Sequence, residues 1–263
     1  MRARFYAFVL ALSAAAPVHA AMVTKQVGYK VGGKEMQSVL VYDDAVKTPR
    51  PGLVMAPDWL GMNDNQIALA KQIAGKDYVI LVADVYGADV RPKTPDEAGN
   101  ATKNMYDHRA DLRARIDAAL DQLKAEVGKA PLDGKHWGAF GFCFGGATVL
   151  DLARSGADVA GVVSFHGNLS TDDPKLAKNI KAKVLALHGA DDKFESPEQI
   201  AGFQKEMRDA NVDWQFLEFG GAVHCFAIPT ADGSVPGCLY NERAAKRGVR
   251  QMHLFFDEAF AAH

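Results

Sequence analysis

Cys143 stands between glycines in GFCFGG, residues 141–146, directly after the apolar run KHWGAFGF. A thiol at the apex of a sharp strand-to-helix turn is the arrangement of a nucleophile elbow, with cysteine where serine is usual. The apex backbone is strained, so the residues two positions away must be small, and Gly141 and Gly145 meet that demand. A helix starting at the turn points its positive end at the sulfur and favours thiolate. The competing reading is a structural cysteine at a glycine turn, since free cysteine is commonly buried.

A nucleophile needs a base and a group to orient that base, and elbow enzymes supply them later in the chain, acid first and histidine second. The run AKVLALHG leads into Ala190-Asp191-Asp192, and VDWQFLEFGG leads into Ala222-Val223-His224. His224 is expected to take the thiol proton and later return it to the leaving group, with Asp192 fixing its tautomer and Asp191 as the fallback. His166 precedes the acid in chain order and is expected to line the pocket. His188 reads as structural, and His136 and His253 have no visible partner pattern. No C-x-x-C or H-E-x-x-H spacing offers a metal site, and GFCFGG lacks the G-x-G-x-x-G spacing of a dinucleotide turn, so the chemistry needs no metal and no cofactor.

The elements that must carry these residues are short, nearly continuous apolar runs separated by helical patterns. TKQVGYK and EMQSVLVYD alternate as a hairpin around Gly32-Gly33; GLVMAPD, YVILVADVYG, KHWGAFGF, DVAGVVSFHG, AKVLALHG and VDWQFLEFGG follow as buried strands. Helices are expected over 65–76, 111–127, 147–155, from Pro197 behind a Ser196/Gln199 capping box, and over 240–260. Residues 87–100 read as a long loop at the substrate entrance. Strands alternating with helices imply a mostly parallel sheet of about eight strands covered on both faces, with ligands at the strand carboxyl ends.

The 263-residue chain has a net charge of −2 and no Lys/Arg cluster, which argues against a nucleic-acid partner. MRARFYAFVLALSAAAPVHA has a basic start, an apolar stretch and a small-residue exit, the build of a secretory signal peptide cleaved after Ala20. This predicts a periplasmic or secreted protein in which residues 21–263 form one domain, free of the membrane once the leader is removed. Export to an oxidising compartment makes Cys225 and Cys238 a candidate disulfide around FAIPTADGSVPG, leaving Cys143 as the free thiol. The alternative is that Cys225 and Cys238 are unrelated thiols.

These residues resemble the dienelactone hydrolase family of α/β-hydrolases through APDWLGMN (56–63), ADVYG (83–87), GFCFGG, HGADDKF (188–194) and GAVHCFA in order. The resemblance implies an α/β-hydrolase fold and a Cys143–His224–Asp192 triad opening an ester or lactone through an acyl-enzyme. It also implies an oxyanion hole from the backbone N–H groups of Phe144 and Trp59, and a carboxylate, Asp58, touching the resting thiol. The two arginines that bind a substrate carboxylate in dienelactone-specific members are replaced by Ala88 and Ile228, with Arg91 close by. A neutral or apolar ester or lactone is therefore expected, in a pocket near Trp59, Tyr86, His166, Phe194 and Phe226. The small-molecule substrate is the only partner implied, and the sequence sets no oligomeric state. A reading from another class is a non-catalytic binding or thiol redox-sensing protein, but a sensor has no need of an acid and a histidine in elbow order.

Overall fold

The hairpin of β1 (Met22–Val31) and β2 (Lys34–Asp43) turns at Gly32 and Gly33, whose φ values of 55° and 82° lie in the left-handed region that glycine enters without strain. It opens an eight-stranded sheet in a computed structural model that describes residues 22–262. The predicted leader, 1–20, lies outside the described residues. The other strands are β3 (Arg50–Ala56), β4 (Val79–Val82), β5 (Leu132–Phe142), β6 (Gly161–Phe165), β7 (Lys183–Gly189) and β8 (Trp214–Phe219). The spatial order is β1-β2-β4-β3-β5-β6-β7-β8; β2 meets β1 and β4 antiparallel, and every later pairing is parallel.

The central strands carry nearly continuous apolar runs because both faces are covered. Along β3, Leu53 and Met55 join one core, whereas Val54 and Ala56 join the other, as the two-residue period of a strand requires. The first core takes Leu69 and Ile73 of α1 (Asp64–Ala74) and Met252, Phe255 and Phe256 of α6 (Glu242–Ala261). The second takes Leu112, Ile116 and Leu123 of α3 (Arg109–Lys124), Val149 and Leu152 of α4 (Phe144–Arg154), and Phe203 and Met207 of α5 (Pro197–Asp209). The Ser196/Gln199 capping box closes α5 with both of its reciprocal bonds. This is the α/β-hydrolase fold.

Three expectations from the sequence need correction. The second half of the expected entrance loop is helix α2 (Pro95–Asp107), started by the Thr94 side chain accepting the Glu97 N–H. It buries only Ala98 and Met105, too little apolar periodicity to see in a stretch rich in Gly, Asn and Asp. Helix α4 begins at Phe144 rather than at residue 147, so the glycine pair belongs to the helix and not to a preceding loop. Helix α1 begins at Asp64, where the Asn63 carbonyl oxygen of its side chain accepts the Gln66 N–H, and it ends at Gly75. The termini of α3 and α6 differ from expectation by only one to three residues.

Candidate active site

β5 ends at Phe142, α4 starts at Phe144, and Cys143 between them holds φ 53° and ψ −116°, a conformation that L-residues rarely adopt. Two close approaches explain the flanking glycines. A Cβ on Gly141 would lie 2.2 Å from the Gly145 carbonyl oxygen, and one on Gly145 would lie 2.1 Å from the Ala56 carbonyl oxygen. The turn is pinned from β6, where the Phe165 carbonyl and the His166 Nδ1 both accept the Cys143 N–H, at 3.0 and 3.2 Å.

His224 Nε2 lies 3.1 Å from Cys143 Sγ, and its Nδ1 lies 2.7 Å from Asp192 Oδ2. The other Asp192 oxygen accepts the Phe194 N–H at 2.9 Å, which fixes the carboxylate plane. Asp191 is exposed on the same turn, with its N–H donated to the Ala222 carbonyl. Burial alone would push the His224 imidazole down, but the Asp192 carboxylate and the Cys143 sulfur outweigh it and lift its pKa to about 10. The ring therefore carries its proton towards the sulfur.

The loop that presents His224 is tied down in three places. Cys225 and Cys238 form a disulfide, the Leu239 N–H bonds to the His224 carbonyl at 3.0 Å, and the Asn241 N–H bonds to the Phe226 carbonyl at 3.0 Å. Cys143 is the free cysteine and is partly exposed.

A cavity of about 250 Å³ opens over Cys143 and His224, walled by Trp59, Tyr106, Phe144 and Phe194 with Thr102 and Val235. Trp59 and Phe194 stand where the sequence placed them, but Tyr86, His166 and Phe226 do not line the cavity. They form the layer behind it. Tyr86 stacks on Phe144 at 5.4 Å and donates its hydroxyl to the Trp59 carbonyl at 2.9 Å, pinning that stretch of backbone. His166 packs edge-on against His224 and Phe226 at 5.1 and 5.0 Å. Burial, reinforced by the neighbouring His224 charge, pushes its pKa well down, so it is neutral, with its proton on Nε2 because Nδ1 accepts from Cys143.

Of the other histidines, His188 packs on Phe216 as a structural residue, and burial lowers its pKa. His136 and His253, read as lacking partners, have them: His136 Nδ1 meets Asp133 at 2.7 Å, and His253 Nδ1 meets the Tyr78 hydroxyl at 3.2 Å. Arg91 is no free loop arginine, because it pairs with the buried Asp84 at 2.9 Å. Sequence reasoning missed Thr102 and Tyr106 on α2, together with Asn168, Glu195 and Val235. Glu195, three residues after Asp192, was the one with a visible signal. Among the described residues no cluster of three or more His, Cys, Asp or Glu has the arrangement of a metal site, and no helix is long and apolar enough to cross a membrane.

Asp58 also departs from expectation. Its carboxylate makes no hydrogen bond to Cys143; Oδ1 accepts the Leu60 N–H at 2.9 Å, and Oδ2 accepts from Gln66 Nε2 at 2.8 Å. Gln66 is buried at the start of α1, so this pair ties the β3 exit to that helix. Burial pushes the Asp58 carboxyl up to about 6, opposed by the Leu60 N–H. The folded chain thus binds this proton more tightly than the unfolded chain does. Stability from Asp58 is fully present below about pH 4 and lost as pH rises through 6, a change of about 3 kcal/mol. Asp58→Asn should therefore gain about 1–2 kcal/mol over wild type at pH 8 and nothing at pH 4. Urea melts at the two pH values check this, and an equal difference at both would contradict it.

A sharp strand-to-helix turn with Cys143 at its apex, followed by an acid after β7 and a histidine after β8, is the arrangement of an α/β-hydrolase. The dienelactone hydrolase family matches residues 36–260, and the chain belongs to it. It is accordingly a hydrolase of carboxylic ester or lactone bonds. An uncharacterized Caenorhabditis elegans protein is 36% identical over 159 residues, covering 59% of this chain and 98% of the relative. A crystal structure of a dienelactone hydrolase-like promiscuous phosphotriesterase from metagenomic libraries is 36% identical, with a TM-score of 0.84 over 91% of this chain and 99% of that one. The crystal structure of dienelactone hydrolase from Anabaena variabilis is 18% identical, with a TM-score of 0.63 over 90% and 98% of the two chains, and shares the fold.

Proposed function

We propose that the protein is a cysteine-dependent hydrolase of neutral esters or lactones that works through a covalent acyl-enzyme on Cys143. The observation that carries this is the single imidazole bridging Cys143 Sγ at 3.1 Å and Asp192 Oδ2 at 2.7 Å. With its proton transferred to His224 Nε2, the sulfur attacks the carbonyl carbon. The tetrahedral oxyanion is received by the N–H groups of Phe144 and Trp59, the first of which lies in the opening turn of α4, where backbone donors have no partner within the helix. Collapse breaks the C–O bond, and the departing alkoxide takes the Nε2 proton. A water then attacks the thioester, giving its proton to Nε2, and the carboxylic acid leaves as the thiol reforms. Asp192 holds the ring and balances the charge that appears on it.

Export to the periplasm or outside the cell completes the reading, supported by the leader sequence of residues 1–20 and by the Cys225–Cys238 bond, which suits an oxidising compartment. That bond also weakens the redox-sensor alternative, because both cysteines that could resolve an oxidised Cys143 are already joined to each other. The name of the metagenomic relative places a neutral phosphotriester such as paraoxon on the panel of substrates to try. The test is hydrolysis of p-nitrophenyl acetate and butyrate and of simple lactones before and after treatment with iodoacetamide. Turnover that disappears in proportion to alkylation of Cys143 is expected; turnover that survives complete alkylation would end the proposal.

A further inference from the structure

Glu195 sits in the wall of the cavity with Cys143 and His224 and has no part in the mechanism above. It is 4% exposed, between the active-site turn and α5. Its Oε2 accepts the Leu169 N–H at 3.2 Å, and Asn168 shares the cavity wall with it. The charged and titratable groups that feel it are Asp192 and His224 across the turn and Tyr106 on α2. Asp192 adds a like charge, and the two ring nitrogens of His224 are already directed at Asp192 and at the sulfur. None of the residues lining the cavity is lysine or arginine. Arg91, on the loop after β4, is committed to Asp84 at 2.9 Å.

We propose that Glu195 sets the charge selectivity of this cavity, so that it takes acyl groups that are neutral or cationic and rejects those bearing a carboxylate or other anion. The inference rests on the ester and lactone reading for its substrates and adds their charge class. An anionic acyl group would enter a small, mostly apolar space already holding a carboxylate, where the facing imidazolium of His224 is already engaged by Asp192 and the sulfur. A substituted ammonium would meet that carboxylate together with the aromatic faces of Trp59, Tyr106 and Phe194, which attract cations. Burial, with Asp192 acting in the same direction, pushes the Glu195 carboxyl up to about 7, so it is charged in mildly alkaline solution.

Iodoacetamide and iodoacetate provide a test that needs no turnover, since they are similar in size and differ by one charge. Alkylation of Cys143 is timed with each at pH 8.5, and the ratio of rates is compared with that of a small neutral thiol. Wild type should favour iodoacetamide by about tenfold more than the free thiol does, equivalent to ~1.4 kcal/mol. Glu195→Gln, which keeps an oxygen to accept the Leu169 N–H, should bring the ratio several-fold back towards the free-thiol value; Glu195→Asp, which keeps the charge, should retain it. A wild-type ratio equal to that of the free thiol would overturn the proposal without any variant. A ratio unchanged in a folded Glu195→Gln protein would overturn it too. Because the readout is alkylation, it stands even if no ester is hydrolysed, so a failure here and a failure of the hydrolase reading are separate results.

Discussion

Replacing Cys143 by alanine is expected to lower ester or lactone hydrolysis by at least about ten thousand-fold while leaving the fold intact. Every bond-making step in the proposed route uses this sulfur, and His224 has no second nucleophile within hydrogen-bond reach. What would survive is acceleration by the oxyanion donors and by binding alone, which in triad enzymes is a small residue of the total. The fold should tolerate the change because the thiol is partly exposed and its only side-chain hydrogen bond is to His224. Alanine occupies the strained apex no worse than cysteine does. Purified variant and wild type, matched by circular dichroism and assayed on p-nitrophenyl butyrate, decide the point; activity within tenfold of wild type would place the nucleophile elsewhere.

Gly145→Ala is expected to be the most damaging single-methyl change to the architecture. The added Cβ would meet the carbonyl oxygens of Ala56 and Pro57 at 2.1 and 2.5 Å, both backbone atoms at the end of β3. No flexible side chain can swing aside, so α4 and β3 must separate, opening the core between them and displacing the Asp58–Trp59 backbone. A loss of more than about 4 kcal/mol is expected, read as a large fall in melting temperature or as insoluble protein. Gly99→Ala and Gly202→Ala give the opposite sign. These glycines lie within α2 and α5 with nothing within 4 Å of a new Cβ, so each should stabilise by about 0.4–1 kcal/mol. A Gly145→Ala melting temperature within a degree of wild type would refute the steric account of the elbow.

Much of this was legible in the sequence because it rests on rules that act locally. The apolar runs located all eight strands, and the glycine spacing around Cys143 reports two backbone approaches that no other residue permits. Chain order placed Asp192 and His224 at neighbouring strand ends, and β7 and β8 are indeed adjacent. What was missed depends on depth and on long-range partners. Tyr86, His166 and Phe226 sit at strand ends as expected, but the sequence carries no sign that Phe144 and His224 stand in front of them. Asp58 was expected at the thiol, and its actual tie to Gln66 needs α1 to be docked before it can be seen. Helix α2 hid because its buried face is two residues wide, and with it went Thr102 and Tyr106. Glu195 was a lone acid after an Asp-Asp pair that already had a function.

The acyl-enzyme itself is the most direct thing to measure. Wild-type protein mixed with p-nitrophenyl acetate and quenched in acid within milliseconds should show one added acetyl group by intact mass, located by peptide mapping to the segment containing Cys143 and labile to hydroxylamine as a thioester is. That adduct should form far more slowly in His224→Ala, which lacks the base for acylation as well as for deacylation, and be absent from Cys143→Ala. Hydrolysis proceeding at full rate with no acetyl on Cys143 at any quench time, or with the acetyl group on another residue, would contradict the account.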